Sequence, residues 1–218
     1  MAGTRALDAV IRRRHLLKHP FYTAWSRGEV PMPTLREYAG QYFHFERNFP
    51  RYVAGAYARL PSPKDRRVLL DNLMDEEGRD PTHPELWLNF AEALGVRRST
   101  VVRGRPNPAT AALCRNYEEL ALNGTAPQAL GALYAYESIF PEVAAEKSRG
   151  LRANYGISDP AAHEFFRVHT EADAAHSAAE RAILARTLRG DPAAQRAALR
   201  ATRRTVDSWW SFLDSFGT

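Results

Sequence analysis

Along this 218-residue chain apolar residues recur at helical spacing, and no run of any length alternates apolar with polar residues as a half-buried strand would. That pattern leaves helices punctuated by proline and glycine. Leu7, Val10, Ile11 and Leu17 predict a helix over 6–18 that stops at His19-Pro20, followed by a short aromatic element at 21–25 and a turn at 28–33. Thr34 and Glu37 stand at capping-box spacing and predict the start of a long helix through Tyr38, Tyr42, Phe43, Phe45 and Phe49, bent by Pro50 and resuming to Leu60. Ser62-Pro63 opens the next, to about Glu77, and 78–81 breaks it. Thr82 or His83 caps a helix carrying Leu86, Trp87, Phe90 and Leu94 to a stop at Gly95. The stretch 96–108 reads as the longest loop, a lid or a plain connection. Helices follow over 109–122, 127–155 with a bend at Pro141, 161–188 and 192–216. The expectation is an all-α fold in a single domain spanning 1–218, with connections short enough for antiparallel packing.

Composition narrows the function classes. A single cysteine, Cys114, excludes an internal disulfide framework and a zinc ribbon and fits a reducing cytoplasm. Arg12, Arg13 and Arg14 follow an amphipathic segment with no long apolar region and no small-residue cleavage site behind it, so no secretory leader is expected. No stretch is apolar enough to span a membrane. The net charge is +5, but the arginines are scattered among acids without a stacking platform, so no nucleic-acid partner is expected. Of 30 basic residues only Lys18, Lys64 and Lys147 are lysines. A lysine kept against that bias raises the question of why arginine would not serve.

Within 161–188, His169, Asp173 and His176 fall inside an arc of about 60° on one helical face. Phe166 precedes them on that face and Ile183 and Leu184 follow, which sets the polar trio in the stripe that should meet the core. A bound metal satisfies a buried carboxylate flanked by two imidazoles. The alternative is a solvated stripe between two apolar patches, since Glu180 and Thr187 project to the same side. Two acids could extend the set. Glu137 lies in the most apolar helical stretch, 130–140, where a lone charge bends to water or is bound. Glu76 ends a helix seven residues before His83, across a break that prevents spacing alone from placing them on one face; Glu76 and Glu77 also read as ordinary surface acids. No Glu-x-x-His occurs, which disfavours a ferritin-like di-metal site.

The ordered set Glu76, His83, Glu137, His169, Asp173 and His176 resembles the six-ligand pattern of the heme-oxygenase-like di-metal oxidases. More narrowly, the chain is similar to the self-sacrificing para-aminobenzoate synthases, the group that includes the chlamydial protein associating with death domains. The likeness runs through Leu16-Leu17-Lys18-His19-Pro20-Phe21-Tyr22 with Trp25, Asp75-Glu76-Glu77-Gly78 with His83 and Leu86-Trp87, Tyr136-Glu137, and the His169/Asp173/His176 trio. TenA-type thiaminases and the C protein of pyrroloquinoline quinone synthesis share the fold without the complete ligand set.

The resemblance implies a heme-oxygenase-like helical bundle, two metal ions (both iron, or iron and manganese), O2 and an external reductant. It implies para-aminobenzoate made for folate from the chain's own Tyr22, with Lys147 as amino donor, so that no separate organic substrate is needed. A guanidinium, permanently charged, could not replace that amine. Tyr38 and Tyr136 match family tyrosines that lie near the metals and relay electrons or protons; read alone, they are core aromatics with a satisfied hydroxyl. Read alone, Lys147 is a surface residue at a helix end and Tyr22 a packed aromatic beside Phe21 and Trp25. A homodimer is expected from the family. Two other readings stand beside this one: a di-metal oxidase of an external amino acid, amine or fatty acid, and a helical interaction protein without chemistry.

Overall fold

The computed structural model describes residues 2–217. Its helices are α1 (Ala2–Arg13), α2 (Pro20–Arg27), α3 (Met32–Glu46), α4 (Phe49–Arg59), α5 (Pro63–Glu77), α6 (His83–Ala93), α7 (Arg98–Arg103), α8 (Pro108–Tyr117), α9 (Ala126–Glu137), α10 (Phe140–Tyr155), α11 (Pro160–Thr187) and α12 (Pro192–Asp214). A 3-10 turn at Leu16–Lys18 and a π turn at Glu118–Leu122 complete them, and there is no strand among the described residues. None of these helices is long and apolar enough to cross a membrane.

The apolar helix α9 is central, packed on α12, α11 and α4, while α10 pairs with α11 and α2, and α6 with α11 and α3. Glycine permits the α9–α12 approach: a Cβ on Gly131 would stand 2.9 Å from the Ala198 carbonyl oxygen. Thr202 donates its hydroxyl to the Gly131 carbonyl at 3.0 Å across the same contact.

Several boundaries differ from the sequence expectation. The third helix begins at Met32 behind Pro31, with Pro33 in its first turn, so Thr34 and Glu37 lie inside the helix and form no cap. Proline needs no N–H partner in a first turn and starts the helix earlier than the side-chain pattern implies. Pro50 and Pro141 do not bend continuous helices. Each sits in the first turn of a new one, α4 and α10, after a two-residue break. The supposed loop at 96–108 contains α7, anchored by buried Val101. Six residues are too few to display a period. Elsewhere the expected caps form: Ser62 Oγ accepts from Asp65 N–H at 3.3 Å, and Thr82 with Glu85 makes a capping box.

Candidate metal centre

Helix α11 carries no interior proline or glycine and runs unbroken for 28 residues from its Asp159 cap. Its inward face holds Phe165, Phe166, His169, Asp173, Glu180, Ile183 and Leu184, all buried. The stripe is therefore not solvated: Glu180, which favoured that alternative, is fully buried with another acid, Glu137, beside it.

Two groups of metal-type donors face each other here. Glu76, His83 and His169 form one, and Glu137, Asp173 and His176 the other, with the donor atoms of each group within 4.8 Å of one another. The turn between α5 and α6 folds His83 back so that its Nδ1–H meets Glu76 Oε2 at 2.9 Å. Glu137 is the last residue of α9, held by Asn72 Nδ2 donating to Oε1 at 2.9 Å.

Hydrogen bonds select which imidazole nitrogen is free. His169 Nδ1–H donates to the Phe165 carbonyl at 2.7 Å, which leaves Nε2. His176 Nε2–H donates to Asp75 Oδ2 at 3.0 Å, which leaves Nδ1, 3.6 Å from Asp173 Oδ1. Five donor atoms are buried without a hydrogen-bond partner: Glu76 Oε1, His83 Nε2, Glu137 Oε2, Asp173 Oδ2 and His176 Nδ1. Polar atoms left in this state, converging from oxygen and nitrogen, are what a first-row divalent cation satisfies once it displaces the His176 proton.

The electrostatics agree with that fit. Burial pushes the carboxyls of Asp173, Glu180 and Glu46 well above the usual range and raises Glu137 as well. Neighbouring acids add to the effect: Glu137 and Asp173 on Glu180, and Glu76 and Asp173 on Glu46. Desolvation and the neighbouring His83 hold His169 well below its ordinary value. His176 behaves oppositely: burial would lower it, but Asp173, Glu137 and Asp75 outweigh burial and raise it to about 9. The cluster is rich in buried acid and short of positive charge, which a cation corrects.

Beside the donors lies an aromatic chamber. Lys147, which the residues alone cast as a surface lysine, is fully buried within α10. Its Nζ has no hydrogen-bond partner and lies between 4.6 and 5.8 Å from the ring centres of Tyr42, Phe140, Tyr38, Tyr22, Trp87 and Phe166. Desolvation drives its amine well below the usual lysine range, although the Glu46 carboxylate opposes this. The Phe140 ring is shared with the donor cluster, 5.3 Å from that of His169.

Tyr22 reaches this chamber because His19 caps α2, accepting from Phe21 N–H at Nδ1 (3.1 Å) while Nε2 meets Asp214 at 3.0 Å. The Tyr22 and Tyr38 hydroxyls are 2.9 Å apart, and Tyr42 and Tyr136 share a short hydrogen bond. With the Tyr38 and Tyr42 rings 5.6 Å apart, four tyrosines form a continuous buried file. Burial raises the phenols of Tyr22, Tyr38, Tyr42 and Tyr136, so all four keep their protons.

The structure thus gathers all ten residues singled out from the sequence into two adjoining spaces. Sequence reasoning missed Asn72, Asp75, Tyr42, Glu46 and Glu180. Glu180 continues the 4-3-4 spacing of His169, Asp173 and His176. Glu46 had a subtler signal: Phe45-Glu46-Arg47-Asn48-Phe49-Pro50 repeats the aromatic-Glu-x-x-Phe-Pro pattern of Tyr136-Glu137-Ser138-Ile139-Phe140-Pro141, and in both the acid ends a helix.

Comparison with known proteins places this architecture. The family described as iron-containing redox enzymes matches residues 36–210. The chain belongs to this family. This iron-containing redox enzyme is 39% identical over 217 residues to a 4-aminobenzoate synthase of Nitrosomonas europaea, covering 95% of the chain and 88% of the relative. It is 38% identical over 210 residues to the 4-aminobenzoate synthase of Chlamydia muridarum, covering 96% and 88%. Among solved structures, a TenA homolog from Pseudomonas syringae superposes with a TM-score of 0.82 at 16% identity, over 99% of this chain and 90% of that one. A CADD-like protein from Nostoc punctiforme gives 0.80 at 18%, over 99% and 97%. These likenesses establish the fold of the iron-containing redox enzyme as heme-oxygenase-like.

Proposed function

We propose that this enzyme makes 4-aminobenzoate from its own Tyr22, with Lys147 supplying the nitrogen. The reading is supported by the placement of Lys147: a fully buried amine without a hydrogen-bond partner, 5.4 Å from the centre of the Tyr22 ring. Its near-full-length relatives named 4-aminobenzoate synthase support the same product.

In this reading Glu76, His83 and His169 would hold one metal ion and Glu137, Asp173 and His176 a second, both iron or one iron and one manganese. Bound there, the ions would supply redox chemistry toward O2 with electrons from an external reductant. The chain's own residues do the rest. 4-Aminobenzoate contains a benzene ring, one carboxylate carbon and a para nitrogen. The Tyr22 side chain offers the ring and, in Cβ, the carboxylate carbon, so the Cα–Cβ bond must break, Cβ must be oxidised to the carboxylate at the expense of O2, and the phenolic oxygen must leave as water as nitrogen takes its place. Lys147 provides that nitrogen as a neutral amine with an available lone pair, and the transfer breaks its Nζ–Cε bond, with O2 as the oxidant, leaving an altered Lys147 side chain. Tyr38 holds the Tyr22 hydroxyl in place, and the file onward through Tyr42 to Tyr136 offers a path for protons and electrons. The aromatic walls exclude water from the reacting groups.

The test is intact-mass and peptide analysis of the chain after iron loading, reductant and O2. The expected result is loss of the Tyr22 side chain and of the Lys147 amine, with at most about one product per chain. Product accumulating over many turnovers from a chain of unchanged mass overturns the reading and leaves an oxidase of an external substrate. A more distant relative, 28% identical over 161 residues, is named 4-chloro-allylglycine synthase, and it makes that outcome worth scoring.

A further inference from the structure

One turn of α5 reaches both donor groups. Glu76 stands with His83 and His169, but its neighbours on the same helix serve the opposite group. Asn72 donates to Glu137 Oε1 at 2.9 Å, and Asp75 accepts from His176 Nε2–H at 3.0 Å. Each contact occupies one polar atom of its partner and leaves the other. Helix α5 leaves Glu137 Oε2 and His176 Nδ1 unused; both are buried, with Glu180 beside Glu137 and Asp173 Oδ1 3.6 Å from Nδ1.

Neither contact is explained by the needs of the α5 residue. Asp75 retains a side-chain exposure of 28% and is already paired with Arg79 one turn on, so it does not require His176. Asn72 is almost fully buried, and its Oδ1 has no partner. A buried amide left half satisfied is a worse core residue than leucine, unless the bond it does make matters elsewhere.

We propose that Asn72 and Asp75 are positioning residues for the Glu137/Asp173/His176 metal position, so that α5 gives a ligand to one position and orients the ligands of the other. The proposal rests on the reading of these two trios as metal positions. A carboxylate behind a ligating imidazole fixes both ring orientation and tautomer, and loss of such a partner typically weakens metal binding by about 10- to 100-fold. Removing Asp75 should therefore act on one ion and leave its neighbour alone.

The experiment is an anaerobic Mn(II) titration of the full chain, with free ion followed by electron paramagnetic resonance. Wild type, Asp75→Ala, Asp75→Asn and Asn72→Leu are compared, and Glu76→Ala marks the ion held by the other position. Expected are two ions in wild type. In Asp75→Ala and Asn72→Leu the ion that survives Glu76→Ala binds about 10- to 100-fold more weakly, while the other is unchanged. In Asp75→Asn, whose amide oxygen accepts the same bond, affinity largely returns. Should Asn72→Leu fail to fold, the partly exposed Asp75 site decides alone. Wild-type affinity for both ions in Asp75→Ala, or equal weakening of both, overturns the proposal while the two-position reading stands. Fewer than two ions in wild type overturns both.

Discussion

Lys147 Nζ and the Tyr22 ring, 5.4 Å apart across a chamber with no hydrogen-bond partner for the amine, are the least ordinary pairing in this fold. A buried amine is normally tied to a carboxylate; this one meets six aromatic faces. Ring faces favour the ammonium form by about 0.5–2 kcal/mol each, whereas full removal from water disfavours it and holds the amine well below the usual lysine range against the pull of Glu46. The chain sustains a destabilising neutral lysine beside a tyrosine.

Lys147→Met should therefore melt at higher temperature than wild type at pH 7 and form no product. The sign follows from linkage. The unfolded chain binds the lysine proton up to about pH 10.5, whereas the folded chain releases it well below. Across that window wild-type stability rises with pH, and the variant lacks this rise. Thermal melts at pH 7 and pH 10 should show the variant's advantage shrinking, and a variant less stable than wild type at pH 7 would refute a neutral buried amine.

His176 predicts the opposite slope for the metal-free protein. Its pKa, raised to about 9 chiefly by Asp173, Glu137 and Asp75 against burial, lies above the ordinary 6.5. The stability it contributes is complete below pH 6.5 and is lost as pH rises through 9. A cation competes with that proton, so occupancy of this position should tighten over the same interval. Metal titrations at pH 6.5 and 8.5 check this; equal affinity at both would show that the cation does not displace the His176 proton.

How much of this was legible in the sequence depended on whether a signal was local. The three α11 donors share one uninterrupted helix, so 3.6-residue spacing alone aligns them. Glu76 and His83 are joined by a turn that no periodicity describes, and only the ordered ligand pattern of a family connected them. Lys147 was the hardest to read. Its burial comes from rings on α2, α3, α6, α10 and α11, and nothing in its immediate neighbours, Glu146 and Ser148, distinguishes it from a surface lysine. Helix starts were misplaced where proline, rather than a side-chain cap, set them.

Glu180→Gln should stabilise the metal-free chain. Glu180 is fully buried, has no donor, and lies against Glu137, which raises its carboxyl further. The isosteric amide removes the acid and can donate to Glu137, a gain of about 1–3 kcal/mol. Metal loading should then raise the melting temperature of the variant less than that of wild type. Thermal melts with and without Mn(II) measure both differences.

Gly150→Ala separates the chamber from the donors. In an ordinary helix interior this change stabilises by about 1 kcal/mol, since alanine is the better helix former. Here a Cβ would stand 2.7 Å from Trp25 Cδ1, and Trp25 is fully buried with its Nε1 donating to the Lys147 carbonyl at 3.2 Å. The indole is fully buried and tied to the α10 backbone by that bond, so the clash is relieved by α10 and α2 parting. Overpacking of this kind costs about 1–3 kcal/mol, which exceeds the propensity gain and makes the variant the less stable protein. Because α2 carries Tyr22 and α10 carries Lys147, the shift falls on the reacting pair, while the metal donors sit on α5, α6, α9 and α11. The expected outcome is two-ion uptake unchanged by Mn(II) titration and product reduced by about 10-fold or more. If metal uptake falls in step with product, the chamber and the donor cluster are one mechanical unit and the separation drawn here is wrong.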